Sequence, residues 1–277
     1  MVEEIEVIKD LEIGSHADDG NNGDGKISLS KTQKKKLEKY ERDLALKKSK
    51  RKDEKIKSRE KFKVLRQEGG PCKVEIRNQQ LDKLQKTFGS GVKVCLDFQF
   101  EDFMTDKELN HLANQAKRVY SSNKAAVMPF DLHFINLKEN SKTYKLCCDK
   151  NTGFGDYLLT FSDLAADELF PTGKIVYLSP DSEQTLTDMC LDTVYVIGGL
   201  VDDSVKKNTS QQYCRNANIS SARLPIPENM TRAEKGSYKQ ILTVNQVFDI
   251  LLNYHQTKDW KNALVKNVPA KTGFIIE

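Results

Sequence analysis

The chain has 277 residues, 38% hydrophobic and 30% charged, enough for one sizeable core with an appendage or for two small domains. Its formal charge of +4 conceals three blocks: residues 1–30 carry −6, residues 31–68 carry +10, and residues 69–277 are neutral. No apolar run reaches the length of a membrane span, and six cysteines without a CxxC pair lack the common zinc spacings, so a reduced chain of the cytosol or nucleus is expected, with no metal and no membrane attachment.

Residues 1–30 read as a disordered acidic tail. The DDGNNGDGK stretch invites comparison with a calcium loop, but with Gly23 at the sixth position Leu29 falls at the twelfth, where a bidentate Glu is required. Residues 31–68 hold no Pro or Gly, consist of strong helix formers and run into Gly69-Gly70-Pro71, which predicts a long helix with a sharp stop. Leu37, Tyr40, Leu44, Ile56, Phe62 and Leu65 are too sparse to bury it. Its cations, among them Lys34, Lys35, Lys36, Lys47, Lys48, Lys50, Arg51 and Lys52, suit a solvated face or a nuclear-import signal, and the +10 balance raises phosphate-backbone binding beside these. Residues 69–90 are expected as a linker to a domain over 91–277.

From residue 91 short β-branched runs alternate with amphipathic helices. Gly91–Phe98, Asp131–Leu137, Lys174–Leu178 and the TVYVI run, Thr193–Ile197, read as strands, with a further short one near Ala222–Leu224. Thr105 and Glu108 form a capping box before a helix whose Leu109, Leu112, Ala113, Ala116, Val119 and Tyr120 share one face. Helices are also predicted from Ser182 to about Met189, from Thr209 to about Ala217, and from Leu242 to Tyr254. This alternation implies an α/β domain with a mostly parallel sheet covered on both faces.

The segment YVIGGLVDDS, Tyr195–Ser204, ends a strand in paired glycines followed by two acids. A dinucleotide fingerprint would place its glycines after the first strand, and no GKS or GKT follows, so a phosphate cradle is excluded. A tight turn remains, or a pocket floor. LSPDS after one strand, GGLVD after the next and ARLPIP beyond could converge at the carboxyl ends of the strands, with the glycines letting a flat heterocycle approach.

IVYLSPDSE, YVIGGLVDDS, ARLPIPENM and LTVNQVFDILLNY, in this order and at these spacings, resemble the tRNA methyltransferase 10 family, which modifies the purine at position nine of tRNA. The family is a branch of the SPOUT superfamily, and GGLVDDS and ARLPIPENM look closest to its B paralogue. The resemblance covers roughly residues 92–274, and the upstream basic helix matches the family's layout. It implies a C-terminal deep trefoil knot, S-adenosylmethionine as methyl donor, tRNA as partner and a monomeric enzyme. By position, Leu178, Ser179, Pro180, Ile197, Gly198, Gly199, Leu200, Val201, Cys214, Leu224, Pro225, Thr243 and Val244 would line the donor site. Asp202 would take the proton from guanine N1, with Asp203 as competitor. Lys206, Lys207 and Arg223 could meet phosphates, and Asp97 would lie near the site, although the Cys-Ser that often follows it in relatives is Phe98-Gln99 here.

His16, His111, His133 and His255 are scattered and form no hydrolase triad, and Trp260 reads as an anchor for the last helix. The leading expectation is a tRNA (guanine-N1) methyltransferase. The alternatives are the same enzyme acting on adenine and a knotted tRNA-binding protein without turnover.

Overall fold

The computed structural model describes residues 30–201, 209–234 and 241–275. The calcium-loop comparison and Asp202, Asp203, Lys206 and Lys207 therefore lie outside the described residues. The chain separates into two compact units, 1–73 and 74–277.

In the first unit, α1 (Lys31–Gln67) starts at a capping box. The Ser30 hydroxyl accepts from the Gln33 amide at 3.2 Å, and the Gln33 side chain accepts from the Ser30 amide at 2.8 Å. It stops where Gly69 turns left-handed at φ 74°, with the Gly69 amide on the Arg66 carbonyl. At 1.5 Å per residue the rod is about 55 Å long. Every one of its eight named cations is exposed.

The stretch expected as a linker holds a helix, α2 (Lys73–Thr87). Between Pro71 and Gly89 no residue breaks a helix, and Leu84 is buried by it, so the flanking glycines mark its ends rather than a loose connection.

The second unit continues through β1 (Lys93–Asp97), α3 (Asp106–Ala125), β2 (Asp131–Ile135), α4 (Lys142–Lys150), β3 (Thr160–Phe161) and α5 (Ala166–Leu169). It then runs through β4 (Ile175–Leu178), β5 (Val194–Gly198), α6 (Thr209–Asn216), β6 (Ser220–Ala222), α7 (Ile226–Asn229) and β7 (Thr231–Arg232). The chain ends with α8 (Val244–Thr257), α9 (Trp260–Asn267) and β8 (Phe274–Ile275). Among the described residues, six strands form one parallel sheet in the order β3-β2-β1-β5-β4-β6, as the α/β reading requires.

Side chains alternate across this sheet. Leu96, Phe134, Leu178, Tyr195 and Ile197 join a core that includes α3, α8 and α9, whereas Cys95, Ile135, Ile175, Tyr177 and Val196 pack with Ala166 of α5 and Cys214 of α6. The expected capping box of α3 is present, with the Thr105 amide donating to Glu108 Oε2 at 2.8 Å, and all six residues of its predicted apolar face are buried. The α4 helix, unmarked in the sequence reading, is capped from a distance: Glu101 accepts from the Lys142 and Thr143 amides at 3.1 and 2.9 Å.

The helix expected from Ser182 to Met189 does not form. That segment runs extended: the Arg223 amide donates to the Gln184 carbonyl at 2.8 Å, and the Leu186 amide donates to the Arg223 carbonyl at 2.9 Å. Pairing with the strand that continues β6, together with burial of Leu186 and Met189, overrides the local signal. Trp260 is the anchor it was expected to be, stacked on Tyr254 at 3.7 Å with its indole N–H on the Thr187 carbonyl. Beside it, the Lys258 ammonium, the Met189 amide and the Tyr254 hydroxyl hold the Asp188 carboxyl down to about 2.

Candidate active site

β1 and β5 are neighbours although the elements α3 to β4 lie between them in the chain, and the sheet grows away from this pair on both sides. Such a switch point leaves a crevice at the carboxyl ends of the strands. Asp97, the last residue of β1, stands there fully buried. Among the described residues four donors converge on its carboxylate. The Gln99 amide and the Asn136 side chain reach Oδ1 at 3.1 and 2.8 Å, and the Gln99 side chain and the Tyr177 hydroxyl reach Oδ2 at 2.5 and 2.9 Å. Burial pushes the Asp97 carboxyl above its usual range, and the bonds from Asn136, the Gln99 amide, Tyr177 and the Gln99 side chain work against that rise. Asn136 follows β2 at φ 54°, a backbone region that asparagine tolerates better than most residues.

The paired glycines sit against this aspartate. The Gly199 amide donates to the Asp97 carbonyl at 2.7 Å, and a Cβ at position 199 would stand 2.6 Å from that oxygen. A Cβ on Gly198 would meet the Tyr177 hydroxyl at 3.0 Å and the Phe100 ring at 3.3 Å. The room that a side chain would need at either glycine is thus filled by the protein itself. Close approach of the end of β5 to β1 explains Gly199, and the side chains of Tyr177 and Phe100 crowd Gly198.

The candidate donor-site residues divide between the two faces. Leu178, Ile197, Leu224 and Val244 are buried in one apolar cluster with Val201 packed against it. Cys214 and Leu200 belong to the other, and burial raises the Cys214 thiol to about 11. Ser179 is buried, its amide on the Ala222 carbonyl at 3.0 Å, while Pro180 is exposed and Pro225 buried. Thr243 is exposed ahead of α8, its amide held by Gln246, and the Val244 amide donates to Gln115 of α3 at 2.9 Å. Arg223, expected at phosphates, makes a bidentate pair with Glu228 at 3.0 and 2.6 Å. Asn136, Tyr177 and Gln115 escaped the sequence reading as site residues, and Gln99 entered it only as a departure from the relatives. Only Gln115 left a local signal, as a polar residue on a helix whose neighbouring positions are buried and apolar.

Residues 27–273 match the family described as tRNA (guanine(9)-N(1))-methyltransferase TRM10/TRM10A. The chain belongs to this methyltransferase family. It is 40% identical over 257 residues to tRNA methyltransferase 10 homolog B of Rattus norvegicus, covering 90% of this chain and 80% of that protein. Against homolog B of Homo sapiens the identity is 41% over 254 residues, with 89% and 79% covered. The tRNA (guanine(9)-N1)-methyltransferase of Schizosaccharomyces pombe is 31% identical over 281 residues, with 96% and 90% covered. In three dimensions the chain is similar to the crystal structure of full-length spTrm10 in complex with SAH. The TM-score is 0.59 and the identity 33%, over 66% of this chain and 96% of that one. Within the family's match lie both the basic α1 and the parallel sheet with its switch-point crevice.

Proposed function

We propose that the chain is an S-adenosylmethionine-dependent tRNA methyltransferase that forms N1-methylguanosine at position nine of tRNA. The observation that carries this reading is the family match across residues 27–273, which takes in every element of the crevice. The residues present fit the methyl donor. A cofactor built on adenine needs apolar lining and backbone polar groups, and Leu178, Ile197, Leu224 and Val244 belong to one apolar cluster that takes in the ends of β4 and β5. When bound, S-adenosylmethionine supplies a methyl group on an electrophilic sulfonium; SAH, held in the spTrm10 structure, is what remains after transfer.

The chain's own residues position the purine and manage its proton. Guanine N1 carries a hydrogen that must leave, and Asp202, one residue beyond Val201, accepts it, with Asp203 the competing acid. Asp97 already accepts from four donors, which makes it an organising carboxyl of the crevice wall and leaves the proton transfer to the acids after Val201. The target nucleotide is drawn out of the tRNA core, so recognition rests on shape and backbone, to which α1, Lys206 and Lys207 contribute. Arg223 joins them only where RNA displaces Glu228.

The C-terminal part threads a deep trefoil knot in this reading. Support comes from hydrogen bonds that tie residues 182–187 to Ser221, Arg223, Tyr254 and Trp260. The enzyme works as a monomer in the cytosol or nucleus; among the described residues no helix is long and apolar enough to cross a membrane.

The test is incubation with labelled S-adenosylmethionine and unmodified tRNA, followed by digestion to nucleosides. The expected product is 1-methylguanosine. 1-Methyladenosine would keep the enzyme and replace the substrate, and no methylated purine across several tRNA pools would overturn the activity. In the same assay Asp202→Asn is expected to slow single-turnover methylation by about 100-fold, within the range of general-base contributions, with donor affinity kept. An unchanged rate removes Asp202 from the mechanism. Replacing Lys47, Lys48, Lys50, Arg51 and Lys52 by Gln should flatten the dependence of log affinity on log salt by roughly 0.9 for each phosphate no longer neutralised. An unaltered slope would reject the electrostatic role of α1.

A further inference from the structure

Phe103 departs from the burial of its neighbours. Phe98 and Phe100 are 3% exposed, whereas Phe103 is 54% exposed. It closes the short turn Glu101–Phe103, directly beyond the carboxyl end of β1 and therefore at the lip of the switch-point crevice. The next residue, Met104, accepts the Val201 amide on its sulfur at 3.4 Å, so the turn abuts the end of the GGLV segment.

The turn is held on several sides. The Phe103 amide donates to the Phe100 carbonyl at 3.0 Å, and Glu101 is bound by Lys142 and by both the amide and the hydroxyl of Thr143. The Phe103 ring meets the Phe100 ring edge-on, centroids 6.3 Å apart at 64°. Phe100 in turn fills the space beside Gly198. An aromatic face on a pinned turn gives up little conformational freedom when a flat group lands on it.

Charge narrows what that group can be. The segment EDFMTDKE, residues 101–108, carries four acids and one lysine, and Asp102 and Asp106 are exposed. Glu101 and Glu108 are taken up by helix caps, and Asp106 faces Lys142 at 3.7 Å. Asp102 is therefore the acid that disfavours a phosphate beside the ring, whereas the π face of a neutral base is not repelled. An enzyme that draws a base out of stacked RNA loses that stacking and needs a replacement surface. We infer that the Phe103 ring is the stacking surface for the purine extracted from tRNA. This rests on the proposed function, because only an extracted base needs such a surface.

The test uses the full chain and its Phe103→Ala, Phe103→Leu and Phe103→Trp variants, with melting temperature as the check on folding. Stacking on an aromatic side chain supports a loss of about 10- to 100-fold in single-turnover methylation at saturating tRNA for the alanine and leucine variants. The tryptophan variant should stay within about threefold of the parent, and donor affinity should not move. A second arm places 2-aminopurine at position nine of the tRNA. Its fluorescence should be quenched on binding to the parent and to Phe103→Trp, and should rise on binding to Phe103→Ala. Alanine and leucine variants within about twofold of the parent would overturn the inference, as would a folded tryptophan variant as slow as alanine. If the parent methylates no purine, the proposed function falls, and the fluorescence arm decides alone: quenching that requires Phe103 supports the stacking surface, and quenching indifferent to it ends the idea.

Discussion

Alanine at position 199 is expected to lower single-turnover methylation about 100-fold, the scale of a 1 Å misplacement in a reacting assembly. The added Cβ would stand 2.6 Å from the Asp97 carbonyl oxygen, and that oxygen is backbone, fixed by the pairing of β1 with β5. The strands must move apart at the switch point, and the 2.7 Å hydrogen bond from the Gly199 amide must stretch. Overpacking of this kind costs about 1–3 kcal/mol. In a chain of this size each kcal/mol lowers the melting temperature by roughly 2–4 °C. Gly198→Ala is the internal comparison, because its Cβ would meet the ends of Tyr177, Phe100 and Ser210, which can shift. Calorimetry and single-turnover kinetics on both variants check the order; a Gly198 variant more damaged than the Gly199 variant would contradict this account of the close approach.

The second large effect lies at Asp97. Asp97→Ala removes the acceptor for the Tyr177 hydroxyl, the Asn136 side chain and both Gln99 donors. Each buried donor left unsatisfied costs about 1–3 kcal/mol, so the summed loss should reach at least about 3 kcal/mol, or roughly 6–12 °C in melting temperature. The pH dependence has a definite sign. Burial raises the Asp97 carboxyl in the folded state, so the folded chain binds this proton more tightly than the unfolded chain. Its contribution to stability therefore declines as pH rises from the ordinary carboxylate range through the raised value, and the deficit is complete above it. Asp97→Asn should delete that slope from a stability-against-pH profile. A slope that persists in the asparagine variant would mean that other carboxyls set it.

Strands β1, β2, β4 and β5 were legible because each is a short, mostly apolar and largely buried run, the pattern of a parallel sheet, whereas the two-residue β3, β7 and β8 carry no such run. The α3 start was legible because its capping box spans only Thr105 to Glu108. The environment of Asp97 was hidden for the opposite reason: Asn136 and Tyr177 lie 39 and 80 residues away, and no local pattern links them. The segment from Ser182 failed as a helix on the same ground, since its partners are at residues 221–223. The paired glycines stood out in the sequence, but the groups that crowd them, Asp97, Tyr177 and Phe100, did not. The residues that the resemblance proposes for the donor site divide between two apolar clusters, a division that spacing alone does not reveal.

The clasp around Trp260 bears on how the chain is made. Thr187 precedes Trp260 by 73 residues, and Asp188 precedes Tyr254 by 66, so the ribosome delivers the loop long before the side chains that fasten it. Val244, a buried member of the apolar cluster, belongs to the same late helix as Tyr254. A chain that stops before α8 carries all six strands of the parallel sheet yet lacks the helix that supplies Val244. The apolar cluster of the site is complete only once α8 and α9 have been made.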